Sequence, residues 1–355
     1  MQNTRVRSAT KAAAAAILGV TVLAVSLPAR EHDSYTATYL VSDQADMAAL
    51  QDTNLVNAWG LTSTPTSPWW VADNGTNVST LYRANGSKVP LTVDVKNAPT
   101  GAVANIGTGF EVTNGTISAA AVFIFSTEEG TILGWNPSIS PAAVLGATSP
   151  GAIYKGLAIA STFGGDLLYA TDFHNRRVDI FDSSFNPVTI DGAFVDRKIP
   201  DDYAPFGIQN VEGRIVVTYA KQDAEGEDDV AGQGHGFVDV FDTSGMLLAR
   251  VAQHGQLNSP WGIALAPSNF GAFSGDLLIG NFGDGRINAY ESKKDGKFEF
   301  AGQLRTSDHK RLVIDGLWAL QFGKGTTNNG PTNTLFFTAG PDDESHGLFG
   351  TIVSN

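Results

Sequence analysis

The sequence predicts an all-β protein, a six-bladed β-propeller of four-stranded antiparallel blades. A unit of about fifty residues recurs along the chain, and each copy consists of short apolar strands separated by Gly-rich turns. No long amphipathic segment is present that would form a helix. The 355 residues include 39 Gly and no Cys, and 42% of them are hydrophobic, so a single large core without disulfides must stabilise the fold.

Each repeat opens with an aromatic or small residue, then Gly or Ala, then an aliphatic run. The six openings are Ala58–Leu61, Thr108–Val112, Tyr154–Ile159, Pro205–Ile208, Pro260–Ala264 and Leu317–Leu320. Gly lets neighbouring backbones approach the axis of the ring, and the bulky side chain packs between sheets. We therefore predict that each opening forms the innermost strand of a blade.

Three further strands follow each opening. The second is apolar and ends in small or acidic residues, as in Leu167–Asp172, and the third alternates apolar and polar residues, as in Phe237–Asp242. The fourth is weaker, as in Phe298–Leu304, and suits the solvent-facing edge. The last repeat ends after its third strand, so we expect Tyr35–Val41 to supply the fourth strand and close the ring.

The N-terminus has the pattern of an export signal. Three basic residues and no acid precede the apolar stretch Ala12–Leu27. An N-terminal membrane anchor is the alternative, although sixteen apolar residues barely span a bilayer. We predict a signal peptide at residues 1–29, a single propeller domain at residues 30–355, no integral membrane span after cleavage, and a secreted or periplasmic location.

Charge and Cys content exclude several classes of function. The chain has 23 Lys and Arg against 36 Asp and Glu, a net charge of −13. An acidic surface repels nucleic acid, which we exclude as a partner, and anionic membranes. Zero Cys removes thiolate nucleophiles and Cys-ligated zinc. We expect a monomer whose partner is an unknown ligand, a carbohydrate or a protein.

Two stretches carry a resemblance to a known repeat. Pro260–Tyr290 and Gly156–Asp182 resemble the NHL-type repeat of six-bladed propellers. Over its predicted mature length the chain resembles a family of secreted bacterial propellers without an assigned activity. The wider superfamily includes calcium-dependent gluconolactonases, streptogramin lyases and binders of peptides or carbohydrates. The resemblance thus implies the fold and leaves open whether the protein is an enzyme or a binding module.

One end of the predicted ring gathers the polar and aromatic candidates. In a propeller, the loops that lead into the first strands and the loops between second and third strands open on the same face, here named the acidic face. We expect ligand-binding residues there, with packing of the rings between blades as the alternative. The candidates are Trp59, Phe206, Trp261, Trp318, Asn74 and Asn281.

Acids and histidines on the same loops suggest two kinds of chemistry. Converging carboxylates favour a divalent cation, Ca²⁺ ahead of Zn²⁺ or Mg²⁺, and the candidate ligands are Asp73, Glu128, Asp172 and Asp342. A structural role in turns is the alternative for two of these acids. A His beside a carboxylate can act as general acid or base, and the catalytic candidates are His174, His235 and His346.

These features lead to one functional hypothesis and two alternatives. We expect an exported propeller that binds a small molecule, carbohydrate or peptide at the acidic, aromatic-lined face, with or without a divalent cation. The first alternative is a metal-assisted hydrolase, lactonase or lyase on that face. The second is an extracellular scaffold without a small-molecule site.

Overall fold

In the described residues, six sheets are arranged as the blades of a propeller, and one two-stranded hairpin lies beside them. The computed structural model describes residues 33–355, so the predicted signal peptide at residues 1–29 lies outside the described residues. Within the described part, the helices are two short 3₁₀ turns, Asn74–Thr76 and Gly271–Phe273. None of the helices in this part has the length and apolar character needed to cross a membrane.

The strands follow one another in blade order. The chain starts with β1 (Tyr35–Ser42) and β2 (Leu50–Gln51), which belong to the last blade. Blade 1 consists of β3 (Ala58–Thr62), β4 (Trp69–Asp73), β5 (Val78–Tyr82) and β6 (Lys88–Asp94). Blade 2 begins with β7 (Pro99–Ala104), continues after a separate hairpin of β8 (Glu111–Thr113) and β9 (Ser118–Ala120), and is completed by β10 (Phe123–Thr127), β11 (Thr131–Trp135) and β12 (Val144–Thr148).

The remaining blades repeat the four-strand order. Blade 3 consists of β13 (Tyr154–Thr162), β14 (Gly165–Asp172), β15 (Arg177–Phe181) and β16 (Pro187–Val188). Blade 4 consists of β17 (Tyr203–Val211), β18 (Arg214–Lys221), β19 (Phe237–Phe241) and β20 (Leu247–Gln253). Blade 5 consists of β21 (Pro260–Leu265), β22 (Leu277–Asn281), β23 (Ile287–Ser292) and β24 (Phe298–Gln303). Blade 6 consists of β25 (Leu317–Phe322), β26 (Leu335–Ala339) and β27 (Leu348–Ser354), completed by β1. The predicted six-bladed, four-stranded architecture is confirmed.

The inner strands pack closely around the axis. A Cβ on Gly207 in β17 would lie 2.1 Å from the Trp261 carbonyl oxygen in the next blade, a contact that no side chain tolerates. Hydroxyls on second strands join neighbouring blades: Thr171 donates to the Phe206 carbonyl at 2.7 Å and Thr338 donates to the Trp59 carbonyl at 2.5 Å. These bonds satisfy buried backbone acceptors at the points where the blades meet.

The second repeat has a different inner strand from the one predicted. Thr108–Val112 is not the inner strand of blade 2; that role belongs to β7, and β8 pairs with β9 in the separate hairpin. The opening of β7 contains Thr100 and Gly101, so it lacks the aromatic ring that marks most other openings. A Cβ on Gly101 would lie 2.3 Å from the Leu157 nitrogen, which is the close approach expected of an inner strand.

The N-terminal strand closes the ring, as predicted. β1 runs antiparallel to β27 over seven residue pairs, from Tyr35 with Ser354 to Ser42 with Leu348. Tyr35 is buried, and its hydroxyl donates to the Phe270 carbonyl oxygen at 3.1 Å. β1 and β27 thus belong to one sheet, in which β1 covers the outer edge of β27.

Candidate functional site

Six equivalent positions lie around the axis at the acidic face, each directly before the Gly or Ala of an inner strand. They are Trp59, Thr100, Lys155, Phe206, Trp261 and Trp318. We name the four aromatic members the aromatic floor. The ring of Trp318 stacks on Trp59 with centroids 3.7 Å apart, and it meets Trp261 and Phe206 edge-on at 5.7 and 5.8 Å. The floor thus joins blades 1, 4, 5 and 6 at the axis.

The rings of the aromatic floor are buried and pack against other groups inside the protein. Trp59 and Trp318 are 2% and 1% exposed. The Trp261 Nε1–H donates to the Lys155 carbonyl oxygen at 2.8 Å, and the Trp318 Nε1–H donates to Asn57 Oδ1 at 3.0 Å. The four predicted binding aromatics therefore pack between blades, which is the alternative given for them. Two of their indole N–H groups also bond to Lys155 and Asn57.

Lys155 on β13 is the charged member of the six positions. Its side chain is 3% exposed, and its ammonium donates to Glu128 Oε1 at 2.5 Å and to Asp228 Oδ1 at 3.0 Å. The same ammonium lies 5.4 Å from the centre of the Trp59 ring, within cation–π range. Burial lowers the pKa of Lys155, but attraction to Glu128 and Asp228 outweighs burial and raises it overall. Lys155 is therefore a buried ammonium at neutral pH.

The side-chain amides of Asn57 and Asn74 connect the Lys155–Glu128 ion pair to another carboxyl group, that of Glu344. Asn74 donates to Glu128 Oε2 at 3.0 Å, and Asn57 donates to Asn74 Oδ1 at 3.2 Å. Asn57 also donates to Glu344 Oε2 at 2.6 Å. We name the connected set the polar cluster, and it consists of Asn57, Asn74, Glu128, Lys155, Asp228 and Glu344. It brings together residues from blades 1, 2, 3, 4 and 6.

Carboxyl groups at this face titrate near neutral pH. Burial raises the pKa of Glu344 to about 7; Glu128 and Asp228 add to this rise, and the Asn57 bond and the Lys155 charge oppose it. Burial likewise raises the pKa of Asp229 to about 6, against the lowering effect of Lys155. A carboxyl group with such a pKa can accept or donate a proton at physiological pH.

Of the four predicted metal ligands, only Glu128 belongs to the polar cluster. Asp73 is fully buried and accepts a backbone N–H of its own blade, at Thr80, at 2.9 Å. Asp172 bonds Asn175 in the next turn. Asp342 accepts a long bond from Gln44 at 3.4 Å. Across residues 33–355 no group of three or more His, Asp or Glu side chains is arranged to hold a metal ion.

The three predicted histidines each bond to a different group. His174 and His235 contact carbonyl oxygens in the loop between β18 and β19, at 3.3 and 2.8 Å. His346 contacts Asp43 Oδ2 at 2.8 Å. Asn281, the second predicted binding amide, donates to the Gln256 carbonyl oxygen at 2.8 Å and to Asp284 Oδ1 at 3.0 Å, whereas Asn74 lies in the polar cluster. The structure thus gathers amides, acids and a lysine at the axis, and it leaves the histidines apart.

Sequence reasoning missed Lys155, Asn57, Asp228 and Glu344 as site residues. Asp228 and Glu344 lie in acidic loops where no periodicity distinguishes one acid from the next. Lys155 carries a readable signal, because it holds a repeat position that is aromatic in four other blades. A charged residue at that position indicates a departure from simple packing.

Comparison with known proteins finds relatives of unassigned activity. No family model matches the chain. The uncharacterized protein R648 of Acanthamoeba polyphaga mimivirus is 33% identical over 344 residues, which cover 92% of this chain and 82% of the viral protein. The uncharacterized protein L690 of the same virus is 32% identical over 344 residues, which cover 92% of this chain and 88% of that protein.

Solved structures of similar architecture include two enzymes. A streptogramin B lyase matches with a TM-score of 0.51 and 11% identity, covering 92% of this chain and 99% of that one. A gluconolactonase from Xanthomonas campestris matches with a TM-score of 0.50 and 13% identity, covering 85% and 87%. At these identities the likeness extends to the fold alone. By sequence, this six-bladed β-propeller belongs to the same family as the mimivirus proteins R648 and L690.

Proposed function

We propose that the protein binds a small polar ligand on the acidic face, at the polar cluster. The observation that carries the proposal is the buried ammonium of Lys155 at a position that is uncharged in the five other blades. Removing an ammonium from water is costly, and a buried ion pair is weak evidence for stability. Solvent reaches the pair through its partners, because the Glu128 and Asp228 side chains are 30% and 74% exposed.

The charges of the cluster favour a ligand that donates hydrogen bonds. Glu128, Asp228 and Glu344 offer carboxyl oxygens, and one ammonium, that of Lys155, lies among them. Hydroxyl and amino groups donate to carboxylates, and charge-assisted bonds of this kind are the stronger ones. A carbohydrate, an amino sugar or a basic peptide side chain fits this chemistry.

A divalent cation extends the same proposal. Carboxylate oxygens are the ligands that Ca²⁺ prefers, and Glu128 is both a predicted metal ligand and a member of the cluster. The Lys155 ammonium lies between Glu128 and Asp228, so a cation that binds both carboxylates must displace it. Calcium titration of the metal-stripped protein tests this part, with binding expected to weaken in Glu128→Gln.

A metal-assisted hydrolase, lactonase or lyase is the second candidate. It is favoured by Glu344, whose pKa of about 7 suits a general acid or base. A streptogramin B lyase and a gluconolactonase have the same fold, which supports the idea at the level of architecture. Hydrolysis of a lactone that follows a titration near pH 7 and is lost in Glu344→Gln would favour the enzyme.

Export completes the proposal. Residues 1–29 have the composition of a signal peptide, and the NHL-like repeats resemble those of secreted bacterial propellers. We expect a monomer that is cleaved near Ala29 and released from the cytoplasm. N-terminal sequencing of the protein recovered outside the cell, together with light scattering, tests this expectation.

The ligand itself is sought with a panel of probes and a matched pair of variants. Tryptophan fluorescence follows titrations with glucosamine, glucose, the tripeptide Gly-Lys-Gly and calcium chloride. Glu128→Gln removes a carboxylate from the polar cluster, and Glu129→Gln removes the adjacent exposed one. We expect at least one probe to bind with saturation, roughly tenfold more weakly in Glu128→Gln, with Glu129→Gln unchanged. Equal losses in both variants, or no binding by any probe, would contradict the proposal.

A further inference from the structure

The end of the ring opposite the acidic face contains a cavity of about 380 Å³. It opens where the inner strands end, far along the strands from the polar cluster. Gln209 and Gln321 line both this cavity and the narrow channel that extends along the axis to Trp261. Pockets for small ligands are usually roughly 300–1,000 Å³. We name this cavity the lower mouth, and it shares no residue with the acidic face.

Several polar side chains in the lower mouth have unused hydrogen-bonding capacity. Ser63 is 1% exposed, and its hydroxyl oxygen has no partner within residues 33–355. The side-chain amides of Gln209 and Gln321 make no hydrogen bond within the same residues. Buried polar groups normally have partners, so the unsatisfied Ser63 hydroxyl indicates a site that a ligand completes, and the two partly exposed amides line the same cavity.

Lys324 supplies a cation without an acidic partner. Its ammonium donates to the Ser63 carbonyl oxygen, and none of the carboxylates in the described part forms an ion pair with it. Desolvation lowers the pKa of Lys324, and no neighbouring carboxylate offsets this effect. In a chain with 36 acids and 23 basic residues, such a lysine is free to attract an anionic group.

Asp166 provides acceptors on another part of the wall. A Cβ on Gly107 would lie 2.3 Å from Asp166 Oδ2, so the missing side chain lets the loop after β7 close against the carboxylate. The lower mouth therefore holds one cation, one carboxylate and neutral amides. This combination suits a molecule with one anionic group and several hydroxyls, because Asp166 repels a second anionic group and accepts bonds from hydroxyls.

We infer that the lower mouth binds a small anionic polyol with the size and functional groups of a hexuronic acid. Lys324 binds the carboxylate of the ligand. Gln209, Gln321 and Ser63 bond to its hydroxyls, and Asp166 accepts from the hydroxyls farthest from the carboxylate. The lower mouth shares no residue with the polar cluster, so the experiments below test it separately from the proposed function.

Isothermal titration with three probes tests the ligand class. D-glucuronate is expected to bind with one site per chain, and D-glucose and inorganic phosphate at least about tenfold more weakly. Glucose lacks the carboxylate, and phosphate lacks the hydroxyls. Because carbohydrates are also proposed to bind at the polar cluster, the titrations are repeated in Glu128→Gln. Equal binding of glucose in that variant removes the role of Lys324, equal binding of phosphate shows an adventitious anion only, and absence of glucuronate binding overturns the inference.

Three variants locate the binding. Lys324→Met removes the cation, and Gln321→Glu keeps the side-chain shape while placing a negative charge beside the ligand. Each variant is expected to weaken glucuronate binding at least about tenfold. If one of the two variants does not fold, the other is sufficient for the test. Lys310→Met, at an exposed lysine paired with Asp308, is expected to bind as the wild type does. Unchanged affinity in a folded Lys324→Met or Gln321→Glu protein would overturn the inference.

Discussion

At the scale of single residues, Lys155 changes the chemistry of a repeated position. Equivalent positions in blades 1, 4, 5 and 6 carry rings that pack together, and Thr100 in blade 2 bonds the Tyr154 carbonyl at 2.7 Å. Lys155 instead lies above the Trp59 ring and draws Glu128 and Asp228 towards the axis. A single residue thus converts an apolar layer into a charged site with a partly exposed edge.

Replacing Lys155 should change the titration of Glu344. The Lys155 charge lowers the pKa of Glu344, while Glu128 and Asp228 raise it. In Lys155→Met the lowering effect is lost, so the pKa of Glu344 should rise above about 7. Carbon NMR of the glutamate carboxyls, with Glu344→Gln to assign the signal, measures this value. A pKa that falls or does not move would place Lys155 outside the network.

Glu344 should also make folding stability depend on pH. Its pKa is raised from 4.5 to about 7, so the folded state holds its proton more tightly than the unfolded chain. The stability this provides is complete below about pH 4.5 and is lost as the pH rises through about 7. Chemical denaturation between about pH 5 and pH 8 should show a flatter pH dependence in Glu344→Gln. The wild-type dependence should persist in Glu129→Gln, and its persistence in Glu344→Gln would contradict the assignment.

Inner-strand glycines should be intolerant of any side chain. Gly207→Ala places a Cβ 2.1 Å from the Trp261 carbonyl oxygen and should destabilise the fold by about 3 kcal/mol. Gly164→Ala is the matched control, because a Cβ there has its nearest neighbour at 3.8 Å. Gly226 is a poorer control, since its φ of +71° strains any side chain. Similar denaturation midpoints for the two variants would contradict the close packing of β17 against β21.

The site could be predicted from the sequence only in part. Its face, its loops and two of its members, Glu128 and Asn74, follow from the propeller pattern. The histidines and Asp172 lie outside the cluster because other bonds hold them: Asp172 and His235 bond within nearby turns, and His174 and His346 bond to Gly226 and Asp43 in distant loops. Which acids of a loop turn inward depends on packing between distant blades, and no periodicity encodes it.

At the scale of elements, β1 is the fourth strand of blade 6. A chain that begins at Ser42 loses six of the seven residue pairs with β27 and the packing of Tyr35 against Phe270 and Phe273. We expect a fall in melting temperature much larger than that caused by deleting Lys294 and Asp295 from the exposed turn between β23 and β24. Equal melting temperatures in the two shortened chains would contradict closure by β1.

The elements themselves were largely predictable, with blade 2 as the exception. Five of the inner strands are predicted correctly from the sequence. Each opens with an aromatic residue or a Lys next to Gly or Ala, and an aliphatic run follows. The opening of β7 has neither a large side chain nor a long aliphatic run, so the sequence favours Thr108–Val112, and that prediction is wrong. The true strand is recognised by packing: Gly101 lies against the backbone of β13.

At the scale of the whole molecule, the axis has two chemically different ends. The aromatic floor separates the polar cluster on the acidic face from the narrow channel and the lower mouth. One end presents mainly carboxyl groups around Lys155, and the other presents partly exposed amides around Lys324, which has no acidic partner among residues 33–355. The two proposals therefore assign one class of ligand to each end of the ring.

We propose above that the ligand on the acidic face binds at Lys155. The most direct measurement is NMR of the protein with ¹³C-labelled lysine side chains, with the Lys155→Met spectrum for assignment, during titration with whichever probe binds in the fluorescence panel. The Lys155 signal should shift and saturate with the ligand, while that of exposed Lys310 stays in place. A Lys155 signal that stays unchanged at saturation, with Lys324 or another lysine shifting instead, would contradict the account.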